Sequence, residues 1–98
     1  MNGGEISGNI GGVGSIISIE GANAHFEKNP GAIIYGIDEP AGKANIPPSG
    51  GYIVGVYNWI PSYNVLLHRN DTIANEHLSV TLNSDGGIAS QSGAWDSN

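Results

Sequence analysis

The sequence contains no cysteine and only three basic residues among its 98, and each scarcity excludes a class of function. Without cysteine, neither a disulfide framework nor a Cys-based zinc site can stabilise the fold, which must depend on packing or assembly. Lys28, Lys43 and Arg69 are scattered singly, whereas phosphate binding requires clustered lysine and arginine. We therefore expect no nucleic-acid partner, and the same scarcity disfavours an anionic membrane surface.

Charge of any kind is sparse, at 12% of the chain, and it is split into nine acidic and three basic residues with a formal net charge of -6. The apolar runs are too short to span a bilayer, so we expect no membrane insertion. Hydrophobic residues nevertheless make up 39% of the chain, more than a disordered segment carries. Sixteen glycines between many short apolar segments are typical of one turn-rich, all-β domain.

Six short segments have the composition or alternation of β-strands. The clearest is residues 77–83, in which Leu78, Val80 and Leu82 alternate with polar side chains. Residues 22–31 are predicted as a loop, because Pro30 restricts the residue before it and a glycine follows. The pattern predicts an all-β fold, a small antiparallel β-sandwich or barrel-like knob. Its strands are residues 15–21, 32–37, 52–59, 65–69, 77–83 and 88–95.

Two segments lie outside this strand pattern. Residues 1–14 form a glycine-rich lead-in, which is either a flexible linker or extended chain held by neighbouring subunits, and residues 15–98 form a single β domain. The connection over residues 38–51 holds three of the five prolines. A connection of that length in a small domain is more often functional or interface-forming than idle.

The strand predicted at residues 52–59 is apolar on both faces. A chain of 98 residues has little mass left to cover two apolar faces of one strand, so we expect a partner chain to cover one of them. One face carries Tyr52, Val54 and Val56, and the other carries Ile53, Tyr57 and Trp59.

Spaced catalytic motifs are missing from the sequence. Serines, histidines and carboxylates are present, but none lies in a nucleophile elbow or a comparable arrangement. His25, His68 and His77 lack the spacing that places two imidazoles on one metal from a single element, so a metal site would have to be assembled by folding or across a symmetry axis. We therefore expect a non-enzymatic protein without cofactor or metal.

Aromatic residues gather around Pro61, where Tyr57, Trp59 and Tyr63 lie within seven positions. Three interpretations remain open for them. They cap the end of a core, they form part of a subunit interface, or they form a platform on which sugar rings stack while nearby side chains such as Asn64 bind the hydroxyls.

Read from residue 29 onward, the order of features resembles the small knob domains near the C-termini of bacteriophage and pyocin tail fibres. The matching stretches are NPGAIIY at residues 29–35, ANIPPSGGYIVGV at 44–56, HR at 68–69 and SGAWDSN at 92–98. The resemblance implies a non-enzymatic, homotrimeric, extracellular fibre tip. It would attach the virion to host-surface polysaccharide or an outer-membrane component, and residues 1–14 would be the end of the fibre shaft.

The function expected from these observations is receptor binding at such a tip, with multivalency supplied by three weak sites. The first-choice contacts are Trp59, Tyr63, Asn64 and His68, and the second choice is the loop residues Asp38, Glu39, Asn70 and Asp71. The alternatives are a structural trimerisation or capsid-decoration module, and a monomeric carbohydrate-binding module.

Overall fold

A computed structural model of the chain describes residues 1–11, 14–40, 42–58 and 64–97. These residues form nine short strands and no helix, which confirms the all-β fold; none of them belongs to a helix long and apolar enough to cross a membrane. The strands are β1 (Glu5–Ile6), β2 (Ile17–Ile19), β3 (His25–Lys28), β4 (Ile33–Ile34), β5 (Val54–Asn58), β6 (Asn64–Arg69), β7 (Leu78–Leu82), β8 (Ile88–Ser92) and β9 (Asp96–Ser97).

The strands form three sheets that share one hydrophobic core. A four-stranded sheet has the order β2-β5-β6-β9, a three-stranded sheet has the order β3-β7-β8, and β1 pairs with β4 alone. The pairs β1–β4 and β2–β5 are parallel, which an antiparallel sandwich would not contain. Parallel neighbours need a long connection between them, and here residues 20–53 supply it between β2 and β5.

Strand β7 confirms the clearest sequence prediction. Leu78, Val80 and Leu82 are buried and face the core, whereas Ser79 and Thr81 between them are partly exposed. A tight turn then leads into β8, with the Asn83 amide donating to the Gly87 carbonyl at 2.8 Å. The strict alternation of apolar and polar residues is sufficient to fix which face of this strand is buried.

Strand β3 corrects the loop predicted at residues 22–31. His25 to Lys28 pair antiparallel with β7, and Phe26 packs against the core. The side chain of Lys28 is fully buried, and its ammonium donates to the carbonyls of Glu76 at 2.8 Å and Ala74 at 3.4 Å. Burial lowers the pKa of Lys28. Because Lys28 takes an inward position, the segment lacks the alternation of apolar and polar residues that indicates a strand, and the sequence therefore predicted a loop.

Strand β5 is covered on both faces by its own chain, so the reason for expecting a partner there was wrong. Val54 and Val56 lie in the core, and Ile53 and Tyr57 are buried as well. The segment before β2 continues the parallel pairing along one edge of β5, where the amide of residue 16 donates to the carbonyl of residue 52 at 3.0 Å. The Ser15 side chain lies over the face that carries Gly55 and Tyr57, and its hydroxyl bonds that of Tyr57. Trp59 lies outside the described residues.

The described part of the lead-in also contacts the rest of the chain. Glu5 and Ile6 pair with β4, Ile10 forms an isolated parallel bridge with Ile46, and the Met1 ammonium donates to the carbonyl of residue 27 at 2.7 Å. Residues 1–11 are therefore ordered by contacts with this chain. The division into lead-in and knob stays a prediction.

Candidate functional site

Of the first-choice contacts, only His68 has a described side chain. Trp59 and Tyr63 lie outside the described residues, and Asn64, whose backbone begins β6, is described without its side chain. The backbones of Asn64 and His68 are four residues apart along β6, or about 13 Å at the usual rise of a strand. His68 therefore lies toward the end of the β5–β6 hairpin that is opposite to residues 59–63.

At that end His68 stacks on Tyr52. The ring centroids are 4.0 Å apart with an interplanar angle of 25°, and both side chains are partly exposed. Pairing of His68 with Gly55 in β5 and with Asp96 in β9 fixes its backbone in the sheet. The imidazole Nδ1 is shielded from solvent and has no hydrogen-bond partner among the described residues. A buried polar atom without a partner has an energetic cost, and His68 bears that cost in the unbound chain.

Folding brings the second-choice residues together beside the same hairpin end. The amide of residue 37 donates to the Asn70 carbonyl at 3.1 Å, and the Thr72 hydroxyl donates to a Glu39 carboxylate oxygen. The close approach of the loop at residues 36–39 to residues 70–72 requires Gly36, since a Cβ at that position would lie 2.6 Å from the backbone of residues 70–72. The Asn70 side chain in turn accepts the amide of Ile53 at 3.0 Å, which joins this loop pair to β5.

The buried guanidinium of Arg69 organises the charges of this region. It forms two hydrogen bonds with the carboxylate of Asp71, and it also donates to Glu76 at 3.2 Å and to the Ala94 carbonyl at 2.6 Å. Hydrogen bonding to Arg69 lowers the pKa of Asp71, and the same pair raises the pKa of Arg69. By contrast, Asp38 is exposed and has no hydrogen bond or ion pair with any residue that the structure describes.

We expect Asp71→Asn to reduce the loss of folding stability that occurs when the pH is lowered into the acid range. The pKa of Asp71 is held below its ordinary 3.8 in the folded state, so this carboxylate stabilises the fold above its unfolded pKa and the contribution is lost as pH falls through the folded value. Urea unfolding measured at neutral pH and at about pH 3 should show a smaller loss in the variant than in the parent. The control is Asp38→Asn, which removes a carboxylate that has no partner among the described residues. If Asp71→Asn lost as much stability between neutral pH and about pH 3 as the parent does, the prediction would be contradicted.

A groove lies next to this acidic loop pair, and the sequence did not locate it. Its volume is about 380 Å³, and the walls are mainly apolar. Its lining residues are Ile37, Asn45, Ile46, Pro47, Pro48, Gly50 and Gly51. All but the first belong to the proline-bearing connection 38–51, so the only sequence signal was the length of that connection.

Two histidines meet elsewhere, on the outer face of the three-stranded sheet. His77 Nε2 lies 3.1 Å from one carboxylate oxygen of Glu27, and His25 Nε2 lies 3.7 Å from the other. Hydrogen bonding to His77 lowers the pKa of Glu27. Each imidazole faces a different oxygen, and the described ranges contain no group of three residues placed to hold a metal ion.

The hairpin end offers three kinds of group that a ligand could contact: a stacked Tyr–His pair, an imidazole nitrogen without a partner among the described residues, and carboxylates beside an apolar groove. Concave apolar surfaces with a few convergent polar groups are the usual form of a binding site. Comparisons of the chain with protein-family models, with curated proteins and with solved structures found no match.

Proposed function

We propose that this chain is a non-enzymatic attachment domain that binds host-surface glycan at the Tyr52–His68 stack, as the tip of a phage-type tail fibre or related virion appendage. The observation that supports the proposal is the partly exposed aromatic–imidazole pair whose Nδ1 has no partner among the described residues. Apolar sugar faces pack on aromatic rings, and a ligand hydroxyl would bond Nδ1 after the imidazole turns, because this nitrogen is shielded from solvent in the unbound chain. Trp59 and Tyr63, which lie outside the described residues, stay candidate contacts.

The proposal includes a homotrimer, in which three weak sites raise avidity without strong individual contacts. The tail-fibre resemblance supports this assembly, whereas strand β5 no longer does, because its chain covers it. Light scattering at low and high micromolar concentration tests it, and three times the chain mass is the expected result. The same mass without glycan affinity would favour the structural trimerisation module instead, and a strict monomer with glycan affinity would favour the single-chain binding module.

The sharpest test of the site is His68→Phe, which keeps a ring to stack on Tyr52 but removes both imidazole nitrogens. Loss of one hydrogen bond to a ligand hydroxyl should weaken binding to a bacterial surface polysaccharide by about tenfold. Stability should not fall, because the substitution also removes a buried nitrogen that has no partner in the described chain. Binding is measured by calorimetry with polysaccharides selected on a glycan array, and stability by thermal unfolding.

The matched control is His77→Phe, which removes an imidazole from the other sheet and should leave glycan binding unchanged. Tyr52→Ala deletes the stacking surface and should abolish binding. If both His68→Phe and Tyr52→Ala bound polysaccharide as the parent does, the glycan site would not be at this stack.

A further inference from the structure

The apolar groove next to the acidic loops has the dimensions of a ligand site. Its volume of about 380 Å³ lies within the range of about 300–1,000 Å³ that is usual for pockets that bind small groups. Ile37 and Ile46 line it together with the consecutive prolines Pro47 and Pro48. The lining contains no charged residue, and the amide of Asn45, its one polar side chain, already makes hydrogen bonds within the chain. The groove is therefore suited to an apolar group.

An exposed apolar strip continues from the groove across the surface. Ile46 is 54% exposed and Ile37 is 45% exposed, and Ile10, which forms a β-bridge with Ile46, is 80% exposed. They are the three large hydrophobic residues that the described chain leaves exposed. Clustering of such residues beside a groove, rather than their scattering over the surface, is what marks an interaction site.

The charges around the groove determine which kind of partner fits. Asp38 follows Ile37 directly, is exposed and has no partner among the described residues. All basic side chains of the chain are engaged internally: Lys28 is buried among carbonyls, Lys43 pairs with Glu5 at 3.0 Å, and Arg69 is held by acidic neighbours. A second copy of this chain, which itself carries a net charge of -6, would therefore have to break an existing contact to bring a Lys or Arg cation to this rim.

We propose that the groove binds an apolar side chain flanked by a basic residue, in an exposed segment of a partner protein. The apolar side chain occupies the space between Ile37 and Pro48, and the adjacent cation pairs with Asp38. Burial of the apolar group supplies most of the affinity, and the charge pair selects the sequence. The described lining of the groove includes neither Tyr52 nor His68, and the inference does not depend on the glycan proposal.

The test uses two short probes, acetyl-Leu-Arg-amide and acetyl-Leu-Glu-amide, titrated into the isotope-labelled full chain and followed by amide NMR shifts. We expect saturable shifts at Ile37, Ile46 and Gly51 with the arginine probe at millimolar concentrations, and much weaker shifts with the glutamate probe. Asp38→Asn should weaken binding of the arginine probe by about twofold to fivefold, the range of an exposed ion pair, and added salt should do the same. Glu20→Gln, an exposed carboxylate away from the groove, should have no effect.

Three results would overturn the inference. The first is the absence of saturable shifts at the groove with the arginine probe. The second is equal affinity for the two probes, which would show that the cation is not recognised. The third is a concentration-dependent shift of the free protein at the groove that Ile46→Thr abolishes, which would show that a second copy occupies it. Polysaccharide binding by Ile46→Thr, which changes the groove but no residue assigned to the glycan site, should equal that of the parent, so this test and the glycan test fail independently.

Discussion

Replacement of Asn45 by alanine is expected to reduce the free energy of unfolding by about 2–4 kcal/mol, because four hydrogen bonds of a fully buried side chain would be lost. Asn45 is fully buried. Its Nδ2 donates to the carbonyls of Ile6 at 2.9 Å and Tyr35 at 2.7 Å, and its Oδ1 accepts the backbone amide of Asn9 at 3.0 Å and the side-chain amide of the same residue at 2.9 Å. One side chain thus joins β1, the end of β4 and the groove-forming connection.

The size of the effect follows from what the substitution leaves behind. An unpaired buried polar group costs about 1–3 kcal/mol, and the part-buried carbonyl of Tyr35 would lose its Asn45 donor, whereas that of Ile6 keeps the Tyr35 amide. Asn9 is exposed, so water replaces its lost acceptor at little cost. Asn45→Asp should be at least as harmful, since it places carboxylate oxygens against two carbonyls and retains a buried charge without a cation.

Urea unfolding followed by circular dichroism measures the loss, and Asn75→Ala, on an exposed loop, is the matched control. Amide hydrogen exchange adds a local readout, because the segment around Ile6 and Ile10 should lose protection before the core strands do. A loss below about 0.5 kcal/mol, equal to an ordinary surface substitution, would show that Asn45 does not hold the N-terminal segment.

Sequence alone predicted the strands whose inward residues are apolar. Strand β7 is the clearest example, since Leu78, Val80 and Leu82 alternate without exception and all three are buried. The all-β class followed from glycine content and from short apolar segments. Local pattern is sufficient for these features, because the two-residue period of a strand directly specifies a buried face.

Features that depend on distant contacts were not predictable in the same way. Strand β3 has a lysine in an inward position, and its burial depends on the carbonyls of Ala74 and Glu76, more than forty residues away, in addition to the neighbouring carbonyl of Asn29. The parallel pairing of β2 with β5 also leaves no local mark, and the burial of both faces of β5 within one chain follows from contacts that composition does not show. The argument for a partner there counted mass without topology, and a partner chain stays a prediction.

The candidate site likewise combines residues that the local sequence indicated with contacts that it could not predict. The loops at residues 36–39 and 70–72 were chosen for their polar composition, but their contact depends on Gly36, whose missing side chain admits the other backbone. The Tyr52–His68 stack joins a residue before β5 to one near the end of β6, a pairing that the hairpin register alone creates. The groove required the backbone path of residues 45–51, which composition does not specify.

The C-terminal segment depends on Gly93, and Gly93→Ala is expected to cost about 3 kcal/mol or more. Its φ of +94° is rarely adopted by other residues, and a Cβ would lie 2.3 Å from the His77 carbonyl oxygen and 3.0 Å from the Leu78 Cα. This turn sends the chain from β8 to Trp95, which packs edge-to-face on Phe26 and donates to the Ser79 carbonyl at 3.1 Å. Because the backbone of residues 77 and 78 cannot move aside as a flexible side chain does, the turn around Gly93 would have to open.

Gly21→Ala separates the two causes of the stability loss expected for Gly93→Ala, which are the positive φ and the close contact with backbone atoms. Gly21 has a similar φ of +103°, but a Cβ there would meet nothing within 4 Å, so alanine pays only the conformational cost of about 1–2 kcal/mol. Urea unfolding of both variants should therefore show a clearly larger loss for Gly93→Ala, and the indole N–H resonance of Trp95 should shift in that variant alone. Equal losses would mean that the C-terminal turn relaxes without strain and that Trp95 does not depend on it. A larger loss at Gly93 would establish close backbone contact as the constraint that docks the C-terminal segment on the three-stranded sheet.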